Sequence, residues 1–523
     1  MLNATGEIVH LHMQYRSWVT HAKSWYVSIM PPQSEWAISL QVTMKSTLTL
    51  LSLIVLLLVS CSPQAIQSTI EQDVVLTDCV LSSPGGKVQV DARCGSLSVP
   101  ENPLDLQGRQ VALNIAVVPA IKRVPEPDPL AVLVGGPGQA AVEIFPVMYS
   151  TLFSVHQTRD IVLVDQRGTG KSNPLRCIDP EDEILEDEQV IALLKACPDT
   201  LDADLRYYTT DIAMQDLDAV RAALGYERIN LYGVSYGTRA ALVYLKMYPQ
   251  RVRSILLDAV VDPSFVIYQD TPQDGQKSLE LFFARCEADE ACNDTYPNLL
   301  AEFDSLVQRL EETPVGTVLP HPSTGRPLEL TITSSILSNI VFSTLYSPEL
   351  LATLPLAIHQ AYAEDDFAPL ITLSYLADAG IYDGMLYAVA CTEDASLLST
   401  DEPHDGLFGG NVQTFMEVCS TWPTGGIPTV IHDSVSSDVP ILLFSGEADP
   451  ITPPRHAQQL AETLSNDLHL IFKGMGHGNA NNQCSARILA DFIENVSIND
   501  LDTSCVESVE PPPFFVDFSG PQP

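Results

Sequence analysis

The segment that most restricts what this chain can become is Gly233-Val234-Ser235-Tyr236-Gly237, a G-x-S-x-G pentapeptide. An apolar run from Ile229 to Tyr232 leads straight into it, and a helical stretch to about Tyr248 leaves it, stopped by Pro249. A strand that turns into a helix over one serine makes a nucleophile elbow. The sharp turn strains the serine backbone, and glycines flank it because a side chain there would strike neighbouring backbone. The helix N-terminus behind Ser235 presents unpaired N–H groups that favour developing negative charge. The bland alternative is a glycine-rich structural turn.

The neighbouring pattern supplies the strands such an elbow needs. Val111 to Val118 is strand-like, Leu130 to Val134 runs into Gly135-Gly136-Pro137-Gly138, and Ile161 to Val164 runs into Asp165-Gln166-Arg167-Gly168. Short apolar runs closed by turn residues suit buried parallel strands. Ile212, Leu217, Val220, Ala223 and Leu224 follow helical spacing before Gly225, and Ile255 to Leu257 is the next strand. After Pro263 the alternation stops. A largely helical block, 266–435, interrupts the pattern, which resumes at Val439 to Phe444 and Leu468 to Phe472. The expectation is an α/β chain with a mostly parallel central sheet. Its core parts are 78–265 and 436–508, and a large helical cap is inserted before the later strands. The stretch 509–523, with three consecutive prolines, reads as an extended or disordered tail. Internal repeats are absent from the sequence.

A serine hydroxyl needs a base, and the base needs an orienting acid. In the α/β-hydrolase fold the chain order is serine, acid, histidine. His477, in Gly474-Met475-Gly476-His477-Gly478 after the last strand, is the candidate base. His469 sits within that strand as a packed side chain, and His456 reads as solvent-facing on the helix after Pro454. The acid should follow the preceding strand, where Ser445-Gly446-Glu447-Ala448-Asp449-Pro450 offers Asp449 first and Glu447 second. The acid-bearing strand therefore follows the cap. An oxyanion hole needs two backbone donors. Tyr236 is one. Pro137 has no N–H, so Gly136 is the other, with Gly135 next. Gly170-Lys171-Ser172 imitates a phosphate loop, but Asp165 stands where that motif needs glycine. Metal-spacing motifs are absent, and a triad needs no cofactor.

Together these stretches resemble the prolyl aminopeptidase and tripeptidyl aminopeptidase group of secreted α/β-hydrolase serine peptidases. The resemblance rests on Gly135-Gly136-Pro137-Gly138, Asp165 to Ser172, Gly233 to Thr238, Ser445 to Pro453 and Gly476-His477-Gly478, and spans roughly Leu76 to Cys505. Val134 departs from the histidine that simpler prolyl aminopeptidases carry there, which leans towards the tripeptidyl branch. The resemblance implies a peptide substrate with a free N-terminus, bound under the cap by a carboxylate. Ala390-Cys391-Thr392-Glu393-Asp394 resembles a cap motif of that branch. Glu393 is then the expected amine anchor and Asp394 the alternative. An esterase or lipase on the same scaffold, or a non-catalytic binding lipoprotein, are the competing readings.

Composition bounds partners and compartment. A formal charge of −39 opposes binding to nucleic acid or anionic lipid, and equally serves solubility. Met44-Lys45, then Leu48 to Val59, then Ser60-Cys61 read as a secretory signal over 44–60. Leu58-Val59-Ser60-Cys61 resembles a bacterial lipobox, making Cys61 the lipidated first residue of the mature chain and 61–77 a tether. Residues 1–43 then read as an upstream extension with Met44 as the true start. The expected location is the cell envelope through a lipid anchor, with Ser62 favouring the outer membrane, or secretion. Eleven cysteines less Cys61 leave an even number, as export favours. Sequence neighbours suggest Cys79–Cys94, Cys177–Cys197, Cys286–Cys292, Cys391–Cys419 and Cys484–Cys505.

Overall fold

The computed structural model describes residues 74–179, 184–185, 187–399 and 406–522. The signal-like segment and Cys61 lie outside the described residues. No helix among the described residues is long and apolar enough to cross a membrane.

Eleven strands occur among the described residues. They are β1 (Thr77–Ser82), β2 (Gln89–Pro100), β3 (Gln110–Val118), β4 (Leu130–Leu133), β5 (Ile161–Val164), β6 (Ile229–Val234), β7 (Val252–Asp258), β8 (Val315–Pro320), β9 (Pro327–Ile332), β10 (Ile441–Gly446) and β11 (Asp467–Phe472). Nine form one sheet in the order β1-β2-β3-β5-β4-β6-β7-β10-β11. The chain is an α/β-hydrolase in architecture. Pairing is antiparallel from β1 to β5 and parallel from β5 to β11.

The parallel strands are apolar along their length because helices cover both faces. Leu256, Leu442 and Phe444 pack with Phe145, Leu152, Leu489 and Phe492 on one side. Their strand neighbours Ile255, Leu257 and Leu443 pack with Met214, Leu217, Leu245 and Leu460 on the other. This is the period of two that sends successive side chains to opposite faces.

Between β7 and β10 the chain leaves the sheet and builds helices, among them Thr271–Ala288, Leu299–Glu312, Ser334–Leu345, Asp383–Glu393 and Gly410–Cys419. In Leu299–Glu312 the buried residues are Leu299, Phe303, Leu306 and Leu310, one stripe at helical spacing. They share a separate core with Phe282, Leu337, Ile358 and Phe367. The segment also holds the antiparallel hairpin β8–β9, which the sequence reading missed. Its strands bury one face at most, β9 alternating exposed and buried, so they lack the continuous apolar run that marks the central strands.

Of the two courses expected for the proline-rich end, the structure shows the extended one, packed on the helical segment. Phe514 is buried within that segment's core, with the Arg285 guanidinium 3.9 Å from its ring centroid. The Phe515 N–H donates to Ala352 O (2.9 Å), and the Tyr296 hydroxyl donates to Val516 O (2.9 Å). Consecutive prolines remove backbone donors and favour an extended course, so the chain can lie along a surface and insert one aromatic ring.

All five suggested cysteine pairs form disulfides. Cys79–Cys94 staples β1 to β2 at the antiparallel edge, and Cys391–Cys419 ties two helices of the inserted segment.

Candidate active site

Ser235 stands between β6 and the helix Tyr236–Met247 with φ 56° and ψ −128°, a conformation a serine keeps only under constraint. The flanking glycines explain how the turn closes. A Cβ on Gly237 would lie 2.0 Å from Leu133 O, and one on Gly233 would lie 2.4 Å from Gly237 O. The Ser235 N–H donates to Asp258 O at 2.9 Å, continuing the pairing of β6 with β7.

His477 Nδ1 lies 2.9 Å from Asp449 Oδ2. Asp449 is buried, and its carboxylate also accepts the N–H groups of Ile451 and Thr452 (both 2.9 Å) and the Thr452 hydroxyl (2.8 Å). Burial alone would raise its pKa. His477 and these donors overcome that and hold it below the ordinary aspartate value. Burial likewise opposes a charge on His477, but the Asp449 carboxylate wins and its pKa is raised. From the inserted segment, Tyr346 O accepts the His477 N–H (2.8 Å), and the two rings meet edge-on at 4.8 Å. No hydrogen bond of 3.5 Å or less joins Ser235 Oγ to His477 among the described residues. Such contacts often tighten only when substrate binds.

The other candidates separate cleanly. Glu447 accepts the Gly474 N–H at 3.0 Å and caps a turn instead of meeting the histidine. His469 Nε2 pairs with Ser445 Oγ, and burial pulls its pKa down to about 4. His456, expected to face solvent, is instead buried with Nδ1 2.7 Å from Asp262. Its helix has one apolar side, and the histidine lies on it. Asp270, Asp274 and His456 offer metal-type atoms within 4.8 Å of one another. Arg455 already occupies both carboxylates, so a guanidinium fills the place of a cation.

Gly135 cannot serve as oxyanion donor in this arrangement, because its N–H donates to Gln139 Oε1 at 2.9 Å. The Gly136 N–H is engaged by no partner among the described residues. Gly136 and Pro137 border a cavity of about 290 Å³ together with Ser235 and Tyr236. Phe342, Tyr346, Leu386 and Asn411 of the inserted segment line the same cavity, so the serine lies at the floor of a covered cleft.

Glu393 requires a correction. It is fully buried, and its carboxylate accepts the N–H and hydroxyl of Thr210 at 2.7 and 2.9 Å. Thr210 Oγ1 lies 2.7 Å from the Tyr236 hydroxyl, which places Glu393 behind the cleft wall. Arg239 Nη1 lies 3.7 Å away. Asp394 is no substitute, since it holds Arg239 through two bonds of 2.8 and 2.9 Å. Burial, against the pull of Arg239, raises the Glu393 pKa to about 7. An acidic residue on a cap helix looks available in sequence; here its partners come from Thr210 and Arg239, distant in the chain.

Asp165 accepts the Val142 N–H and the Asn114 amide, and Arg167 is buried against Asp216, so the 165–172 loop is structural. The sequence reading missed Thr452, Tyr346 and Asp258. A carboxylate at the carboxyl end of a central strand was the available signal for Asp258.

Comparison with known proteins bears on the fold and on the kind of enzyme this chain resembles. Residues 128–288 match the family model described as alpha/beta hydrolase fold, and 406–505 match the one described as TAP-like protein. The chain is similar to serine protease Hip1 of Mycobacterium tuberculosis, 28% identical over 455 residues, which cover 78% of this chain and 85% of that one. It is similar to the tripeptidyl aminopeptidase of Streptomyces coelicolor, 24% identical over 468 residues, 80% of this chain and 84% of that one. A probable proline iminopeptidase of the same organism is 32% identical over 145 residues, 27% of this chain and 35% of that one.

Proposed function

We propose that this chain, similar to serine peptidases of the α/β-hydrolase fold, is an exopeptidase cleaving peptides near a free N-terminus through an acyl-enzyme at Ser235. One observation carries the reading. Ser235 follows β6 and the Asp449–His477 pair follows β10 and β11, all at carboxyl ends of strands in the parallel part of the sheet, and Ser235 borders a cleft that inserted helices also line. A covered cleft favours the end of a peptide over its middle.

The steps follow from the arrangement. His477 takes the Ser235 proton as Oγ bonds to the scissile carbonyl carbon. The Gly136 and Tyr236 N–H groups hold the oxygen that becomes negative. The C–N bond breaks, and His477 returns the proton to the leaving amine. Water, deprotonated by His477, then releases the acyl group and restores Ser235. Asp449 holds the imidazole orientation and stabilises its charged form throughout.

The test compares kcat/KM for peptides with free and N-acetylated termini, with Ser235→Ala as the control. The free peptide should exceed the acetylated one by orders of magnitude, and Ser235→Ala should abolish both while unfolding at nearly the unaltered temperature. Equal rates for the pair would defeat the exopeptidase reading. A second reading, an esterase, is favoured by a specific observation: the described cavity lining carries amides at Asn339 and Asn411 but no carboxylate for an amine. A simple ester hydrolysed far faster than any peptide would favour it. The envelope anchor rests on the 44–61 pattern, and intact-mass analysis should find an acylated Cys61 at the mature N-terminus.

A further inference from the structure

Asp258 ends β7, between the strand that leads to Ser235 and the strand that leads to Asp449. The residue is 1% exposed. Its main-chain carbonyl accepts the Ser235 N–H at 2.9 Å. Its carboxylate accepts the two amides that follow His477-Gly478. Asn479 N–H lies 2.8 and 2.9 Å from the two oxygens, and Ala480 N–H lies 2.9 Å from Oδ2. The Tyr232 hydroxyl adds a contact at 3.3 Å.

We propose that Asp258 is a positioning residue, gripping the nucleophile turn through its carbonyl and the histidine loop through its carboxylate, so that one residue sets the distance between Ser235 and His477. The proposal rests on the catalytic reading above.

Two physical consequences separate this role from plain loop support. An ionised carboxylate accepts backbone amides more strongly than a neutral group does, so the grip depends on its charge. That charge also acts on His477, favouring the imidazolium alongside Asp449. The titratable groups facing Asp258 are Tyr232 from β6 and His477 from the loop after β11. Those facing His477 are Asp449 from the loop after β10, Asp258, and Tyr346 from the inserted segment. Burial pushes the Asp258 carboxyl up to about 6, against the two amides, His477 and Tyr232. As pH falls through that value the carboxyl takes a proton, and the histidine loop loosens.

The experiment uses Asp258→Asn and Tyr232→Phe. The His477 ring is followed by NMR titration in histidine-labelled protein, its signal assigned by its loss in His477→Gln. Kinetics are followed as kcat and KM against pH. Asp258→Asn should lower the His477 pKa and reduce kcat about tenfold, with KM changed less than about twofold, because a displaced catalytic pair loses turnover and not binding. Tyr232→Phe removes a donor to the ionised carboxylate, so Asp258 should titrate higher, and the step that its protonation imprints on the His477 signal should move to higher pH. It keeps the test decisive if Asp258→Asn fails to fold. Thermal destabilisation with an unmoved His477 titration and an unmoved acid limb would overturn the proposal. Failure of a fluorophosphonate to label Ser235 in the unaltered protein would instead defeat the catalytic reading, and the NMR titration would still decide the positioning claim.

Discussion

Asp449 Oδ2 and His477 Nδ1 are joined by a buried 2.9 Å hydrogen bond. The carboxylate keeps the proton on Nδ1 and leaves Nε2 as the basic nitrogen. In the proposed mechanism His477 must be neutral to accept the Ser235 proton; burial opposes its charge, but Asp449 outweighs burial and raises its pKa above 6.5. The acid limb of kcat/KM should therefore lie above pH 6.5. Asp449→Asn should move it to lower pH and reduce kcat by roughly 10³–10⁴-fold. A pH–rate series on both proteins reads this directly, and an unshifted limb would exclude Asp449 as the orienting acid.

The same pair has a stability sign. The raised His477 pKa contributes stability that is full below its unfolded value near 6.5 and is lost as pH rises through the folded value. The lowered Asp449 pKa contributes stability above its unfolded value, lost as pH falls through the folded one.

Glu393 carries the opposite sign to Asp449. Its folded pKa of about 7 exceeds the ordinary glutamate value, so the folded state binds the extra proton between the two. That contribution is lost as pH rises towards 7. Glu393→Gln resembles the protonated form. Its melting temperature relative to the unaltered protein should become more favourable between pH 5 and pH 8, as scanning calorimetry would record. A pH-independent difference would contradict the buried, proton-binding role.

Phe514 anchors the C-terminal segment in the core of the inserted helices. Phe514→Ala should cost about 3–5 kcal/mol, the usual loss for emptying a buried aromatic site. Denaturant unfolding would measure it. A loss below about 1 kcal/mol would mean that the segment rests on the surface without supporting it.

Gly237 leaves no room for a side chain, since a Cβ at that position would fall 2.0 Å from a main-chain carbonyl. Gly237→Ala should yield no soluble folded protein, or one whose Ser235 no longer reacts with a fluorophosphonate. Normal labelling of that variant would show that the elbow can relax.

Much of the architecture is legible in consecutive residues. Continuous apolar runs closed by turns mark β4 to β7 and β10, because a strand covered on both faces has no polar side to display. The hairpin β8–β9 escapes that rule, since it buries one face at most. Disulfide partners could be drawn as sequence neighbours because each loop they close is short, from 6 to 28 residues.

By itself the sequence determined the elbow, the α/β alternation with its interruption, and a short set of acids and bases in a definite chain order. These depend on backbone freedom and side-chain period, which neighbouring residues express. Only the tertiary structure showed that Asp449 and not Glu447 meets His477, that Gln139 takes the Gly135 N–H, and that Glu393 is buried against Thr210. Each of those turns on a partner brought from elsewhere. Glu393 meets Thr210 across 183 residues of chain, and Asp258 meets Asn479 across 221. A buried charge takes its role from whatever the fold sets beside it, because in a dry interior an unpaired charge is too costly to keep.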